Sequence, residues 1–177
     1  MIEARFSPQM KEILKKLKGE EFISYGSKEI SVDGSAYNGA INLQTSNVTL
    51  RISNEGKQIP WFKGETKEEV FSFSCEKIDV LKDGKVIFVK EKIDEVSLIY
   101  DTITIPEKNY QIVFDMALII KTEKHLYLIS REWHFLECLN INLDKDYDDI
   151  YPIKKVMEDW NNFGNWQVDV DRKVERL

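Results

Sequence analysis

The sequence predicts an α+β protein: a mainly antiparallel sheet, barrel-like or two packed sheets, with an N-terminal helix and a helix near the C-terminus. Three observations carry that expectation. Apolar residues alternate with period two through most of 20–143, and helical spacing is confined to segments near the two ends. In addition, two long apolar-rich runs, Tyr110–Lys121 and Leu126–Leu143, flank the short polar joint 122–125. In the first run Ile112, Phe114, Met116, Leu118 and Ile120 share one face, while Val113, Asp115, Ala117 and Ile119 share the other. A strand apolar on both faces belongs in the middle of a sheet, covered on both sides.

Each element has its own local cause. Ser7 can cap the orphan amides of a helix, Pro8 fits its first position and Gly19 stops it, so a helix is expected over 7–18. Met10, Ile13, Leu14 and Leu17 form its apolar stripe, and its lysines are read as a solvated face. A strand-rich body, 20–143, follows. Short strands are expected at Glu21–Tyr25 and Lys28–Val32, then alternation through Ile41, Leu43 and Thr45 that reverses parity at Val48, Leu50 and Ile52. Such a reversal needs a bulge or a sharp bend near Ser46 or Asn47. The stretch 54–57 reads as a turn, Val70–Leu81 as a strand joined by an Asp83-Gly84 hairpin to Val86–Val89, and Val96–Ile105 as a further strand. A C-terminal helix and tail, 148–177, complete the chain. Ile153, Val156, Met157 and Trp160 share a helical face, and 166–174 offers a final edge strand or docked tail.

At 177 residues the chain suits a single domain, 1–177, able to bury a core without metal or disulfide staples. Hydrophobic residues at 42% and charged residues at 32% suit an ordered protein. A net charge of -6 argues against nucleic acid and favours solubility and basic partners. No secretory signal opens the chain and the longest apolar run, Met116–Ile120, is too short to span a bilayer, so a cytoplasmic protein without membrane association is expected. Cys75 and Cys138 each sit in an apolar run, which suits reduced core thiols.

Catalytic signatures are absent: no glycine-rich phosphate loop, no Gly-x-Ser-x-Gly, no His-Glu-x-x-His. With only His125 and His134, a site needing several imidazoles is excluded by count, and no cofactor is expected. The candidates that remain are few. Asp115, Arg131, Glu132 and His134 are the polar residues of the central hairpin, where burial could separate carboxyl pKa values or an ion pair could simply satisfy the charges. A register with Glu123 alone at the tip would set Asp115 opposite Arg131 rather than Glu132. Trp61 and Phe62 form an aromatic pair bracketed by strand breakers, either an exposed contact or a cap on the core. Asp144, Asp146 and Asp148 match positions one, three and five of a calcium loop, but Asp149 and Lys155 break the pattern, leaving a helix cap as the plainer reading. The expected function is therefore a non-enzymatic protein-binding module that meets a protein partner or its own copy, an inhibitor or immunity-type protein being one version. The alternative is a small hydrolase or ligand-binding enzyme with a polar site around the 109–143 hairpin.

Overall fold

The computed structural model describes residues 1–28, 37–38, 40–62, 66–79, 84–131, 133, 135 and 137–177. The strands are β1 Ile2–Ala4, β2 Glu21–Ser27, β3 Tyr37–Asn38, β4 Ala40–Thr45, β5 Thr49–Trp61, β6 Thr66–Lys77, β7 Lys85–Ile105, β8 Tyr110–Thr122, β9 Leu126–Ser130, β10 Leu139–Leu143 and β11 Asp169–Arg176. The helices are α1 Pro8–Lys15, α2 Tyr147–Ile150 and α3 Ile153–Gly164. The α+β expectation holds, with a mainly antiparallel sheet and helices near both ends of the chain. No helix among the described residues is long and apolar enough to cross a membrane.

Helix α1 forms for the local reasons expected: the Ser7 hydroxyl accepts from the Met10 N–H at 3.2 Å, and Leu14 is wholly buried. Its regular turns end at Lys15, short of Lys18, and Gly19 carries the chain out with φ +87°. That conformation is open to glycine at little cost.

All eleven strands belong to one sheet, in the order β3-β10-β9-β8-β7-β2-β4-β5-β6, with β1 added to β8 and β11 to β7. The sheet is rolled: β3 lies at one end of this path, paired with β10, yet only Gly39 separates it from β4 in the middle. Strand β7, 21 residues long, is the axis. Its first part pairs with β2, and its second is flanked by β8 and β11.

Tertiary pairing overrides several local signals. The run Leu126–Leu143 is not one strand: β9 stops at Ser130, and β10, beginning at Leu139, pairs antiparallel with β9. The parity reversal near Ser46 is a tight hairpin between β4 and β5, which sets Leu43 opposite Leu50 and Ile41 opposite Ile52. The stretch 54–57 is not a turn but mid-strand, with Gly56 paired to Phe71. The two strands expected at 86–89 and 96–105 are one, broken only by irregular register and by Lys90 at φ 59°. Asp83 and the stretch 29–32 lie outside the described residues, but β7 takes β2 rather than β6 as its neighbour, so the expected hairpin pairing is not made.

Strand β8 is buried on both faces as expected, but the residues expected to share one face, Ile112, Phe114, Met116, Leu118 and Ile120, are divided between two cores. Ile99 pairs with Ala117 and Tyr100 with Asp115, so Met116 is an extra residue and the ladder slips there. Beyond the slip Leu118 and Ile120 join Phe22, Leu43 and Ile129 in one core, while Ile112, Phe114 and Met116 join Ile103, Val156 and Trp160 in the other. Each such side chain, fully buried, contributes about 1.5–3 kcal/mol. Among the described residues, strand β8 supplies more buried residues to the second core than any other element, while β7 supplies the most to the first.

Candidate functional site

Asp115 is fully buried on β8, but Arg131 is not its partner. The hairpin register pairs Ala117 with Ser130, which is the register with Glu123 and Lys124 at the tip, and the ladder ends before the charged residues meet. Pairing by β1 in their place brings Arg5 and Phe6 to Asp115: the Arg5 Nε donates at 2.9 Å and the Phe6 N–H at 2.6 Å. Burial pushes the Asp115 carboxyl above the usual carboxylate range, against the pull of the Arg5 charge and the Phe6 amide. Arg5 is shared, for its Nη2 also donates to Glu175 at 2.5 Å, and Lys11 reaches the same carboxylate at 2.7 Å.

Arg131 follows the last residue of β9 and is wholly buried. Its backbone N–H donates to the Met116 carbonyl at 3.1 Å, and its own carbonyl accepts from the Tyr147 hydroxyl at 2.7 Å. Its guanidinium lies between the rings of Phe73 and Phe114, 5.4 Å and 5.3 Å from their centroids, and Nη1 donates to the Phe71 carbonyl and to Asn54 Oδ1. Burial lowers its pKa to about 10. Nε and Nη2 have no hydrogen-bond partner among the described residues. Glu132 and His134, the other two polar candidates of this hairpin, lie outside the described residues.

The aromatic candidates belong to a larger assembly. Trp61 closes β5 and is only 6% exposed, because Trp160 stacks on it at 6.0 Å and Tyr110, Phe135, Phe163 and Trp166 surround its edges. Phe62 is half-buried against Tyr110 and Trp166, with Lys108 Nζ 5.7 Å from its ring centroid. The assembly reaches solvent at Phe163, 49% exposed, and Met157, also on α3, is exposed. A groove of about 380 Å³ runs between α3 and 166–169, lined by Lys154, Met157, Glu158, Trp166, Val168 and Asp169. Phe163 and Trp166 were not singled out in the sequence, although each is an aromatic ring within a few residues of the Asn-rich helix end.

The calcium pattern dissolves into separate duties. Asp144 accepts from the Leu126 N–H at 2.8 Å and meets His125 Nδ1 at 2.7 Å, contacts that hold its carboxyl below the usual range. Asp146 caps α2 by accepting from the Asp148 N–H at 3.0 Å, and Asp148 binds Arg172 Nη1 at 2.5 Å. No cluster of three or more His, Cys, Asp or Glu able to hold a metal occurs among the described residues. His125 also faces Glu91 across 3.9 Å, and Glu91, buried, accepts from the Thr122 hydroxyl at 2.6 Å. These groups pin the β8–β9 turn to β7.

Arg172 on β11 completes the polar interior. Its Nε and Nη2 donate side by side to the two oxygens of Asp101, each at 2.7 Å, and Nη1 also reaches the Tyr151 carbonyl. Asp101 is wholly buried on β7, and burial pushes its carboxyl up against the pull of Arg172. Burial alone would lower Arg172, but its bonds to Asp101 raise it. A lone aspartate between Ile99 and Ile103 is the sequence signal that could have found this pair. Cys75 and Cys138 are free thiols, and burial raises Cys75 to about 12.

Compared with family models, curated proteins and solved structures, the chain matches none of them.

Proposed function

We propose that this is a cytoplasmic, non-catalytic protein-binding module that docks its partner at the solvent edge of the aromatic assembly. One observation supports the reading. Rings that elsewhere enclose one another emerge at Phe62, Phe163 and Trp166, beside Met157 and the groove along α3. Aromatic and methionine side chains at the rim of a groove favour protein contacts, because they bury much area with little loss of side-chain freedom. Glu158 and Asp169 outnumber Lys154 along the groove, and the chain carries a net charge of -6. The partner is therefore a protein segment that offers an apolar side chain flanked by lysine or arginine. An inhibitor or immunity-type protein that masks a basic enzyme is the specific form of this proposal. The hydrolase reading needs at least three of Asp115, Arg131, Glu132 and His134 to converge; Asp115 and Arg131 are each engaged by other groups, and Glu132 and His134 lie outside the described residues.

The test compares wild type with the pair Met157→Ser and Phe163→Ser as baits in lysate of the native cell, followed by titration of the purified captured protein. Met157 is exposed and Phe163 is half-exposed where its ring stacks on Phe135 at 4.5 Å, so the double variant should keep its fold and lose about 1–3 kcal/mol of stability. A protein bound directly by wild type and at least tenfold more weakly by the variant supports the surface. Equal binding by both would remove it.

A further inference from the structure

The Nε/Nη2 edge of an arginine is a fork matched to the two oxygens of a carboxylate. In this molecule that edge is filled at two arginines. Arg172 grips both oxygens of Asp101 with it, at 2.7 Å each, and Arg5 places the same two nitrogens on Asp115 and Glu175. At Arg131 the corresponding nitrogens have no partner among the described residues, although the side chain is wholly buried. Its anchors, Asn54 Oδ1 and the Phe71 carbonyl, are neutral and occupy Nη1 alone. The orphaned donors lie at one edge of one buried side chain, and the carboxylates whose charge it feels, Asp115 and Asp101, are gripped directly by Arg5 and Arg172.

We propose that this edge is the binding point for the carboxylate of a small monocarboxylic acid, held in plane with the guanidinium between Phe73 and Phe114. The chemistry of the surroundings narrows the class. A single negative charge neutralises Arg131, whereas a second would be buried beside two phenyl rings without a partner, which excludes dicarboxylates and phosphate dianion. A spherical halide meets both donors less well than a planar pair of oxygens. The remainder of the ligand is short and apolar, as in acetate or propionate, because the walls it would meet are aromatic. This site lies apart from the docking surface proposed above and does not depend on it.

Thermal unfolding of the full chain at pH 7.5, in sodium acetate or propionate against sodium chloride and malonate at equal ionic strength, reads the site. Wild type should show a saturable rise in Tm with the monocarboxylates only, and Arg131→Met should give superimposed curves in all four salts. Arg131→Lys keeps the charge without the fork and should lose at least tenfold in apparent acetate affinity. In wild type alone, 13C-methyl acetate should give intermolecular NOEs to ring protons of Phe73 or Phe114, a readout independent of how the variants fold. Superimposed curves for wild type, an acetate effect that survives Arg131→Met, or absence of those NOEs would overturn the assignment.

Discussion

Arg172 and Arg131 are both withdrawn from water, with side chains 6% and 0% exposed, and the fold treats them in opposite ways. Arg172 sits where the C-terminal strand crosses β7, and every face is engaged: Asp101 on its fork, Asp148 and the Tyr151 carbonyl on Nη1, and the Tyr147 ring 4.6 Å from its guanidinium carbon. Arg131 sits where the chain leaves β9, beside the rings of Phe73 and Phe114, with neutral acceptors at Nη1 and no partner for Nε or Nη2 among the described residues. Burial by itself therefore says little about what a charge does. A buried charge with its counter-charge ties elements together, while one without it is a place where an anion gains much by binding.

The largest expected effect breaks the filled pair. Arg172→Leu leaves Asp101 buried without its partner and should lower stability by about 3–5 kcal/mol in urea titration. Adding Asp101→Leu should recover most of that loss, since an apolar pair of similar size replaces the ionic one. Arg131→Met gives the contrasting measurement. Removal of a buried charge that bonds directly to no carboxylate among the described residues offsets the loss of donors to Asn54 and Phe71, so the change should stay within about 1 kcal/mol. A loss as large as that at Arg172 would erase the distinction between the two sites.

A smaller effect sharpens the comparison at Arg5, whose fork holds two carboxylates shifted in opposite directions. Burial raises Asp115, so its contribution is fully present at low pH and falls as pH rises through its folded value. Glu175 is lowered, because bonds from Lys11 and Arg5 outweigh its partial burial. Its contribution is present above the ordinary glutamate value and is lost as pH falls through the lowered one. Denaturation between about pH 3 and pH 7 should therefore give opposite slopes for the difference between wild type and Asp115→Asn and that between wild type and Glu175→Gln. Like slopes would mean that burial does not govern Asp115. The smallest effect carries the lesson to an uncharged group. Cys75, buried and raised to about 12, should resist a thiol reagent at pH 8 for as long as the fold persists, while the half-buried Cys138 reacts.

Much of the fold was legible locally. The Ser7-Pro8 start, the two-faced apolar run of β8, the joint at 122–125 and the stripe of α3 each rest on residues a few positions apart, where capping, turn chemistry and periodicity act. Less of the candidate site was legible. Asp115 is legible as a buried carboxylate, but its partner, Arg5, follows β1, 110 residues away. Trp61 was singled out as one of a pair, whereas its neighbours come from β8, α3 and the segment after it.

By itself the sequence determined which stretches extend, which coil, and which side chains are too apolar to remain in water, because those preferences are properties of short windows. Only the tertiary structure decided that β9 ends at Ser130, that β7 continues past the irregularity at Lys90, and that Arg172 meets Asp101 across 71 residues. The reason is physical. Strand partners and buried charge pairs are selected by how the whole rolled sheet closes around its two cores, and no window of the chain contains both members of the choice.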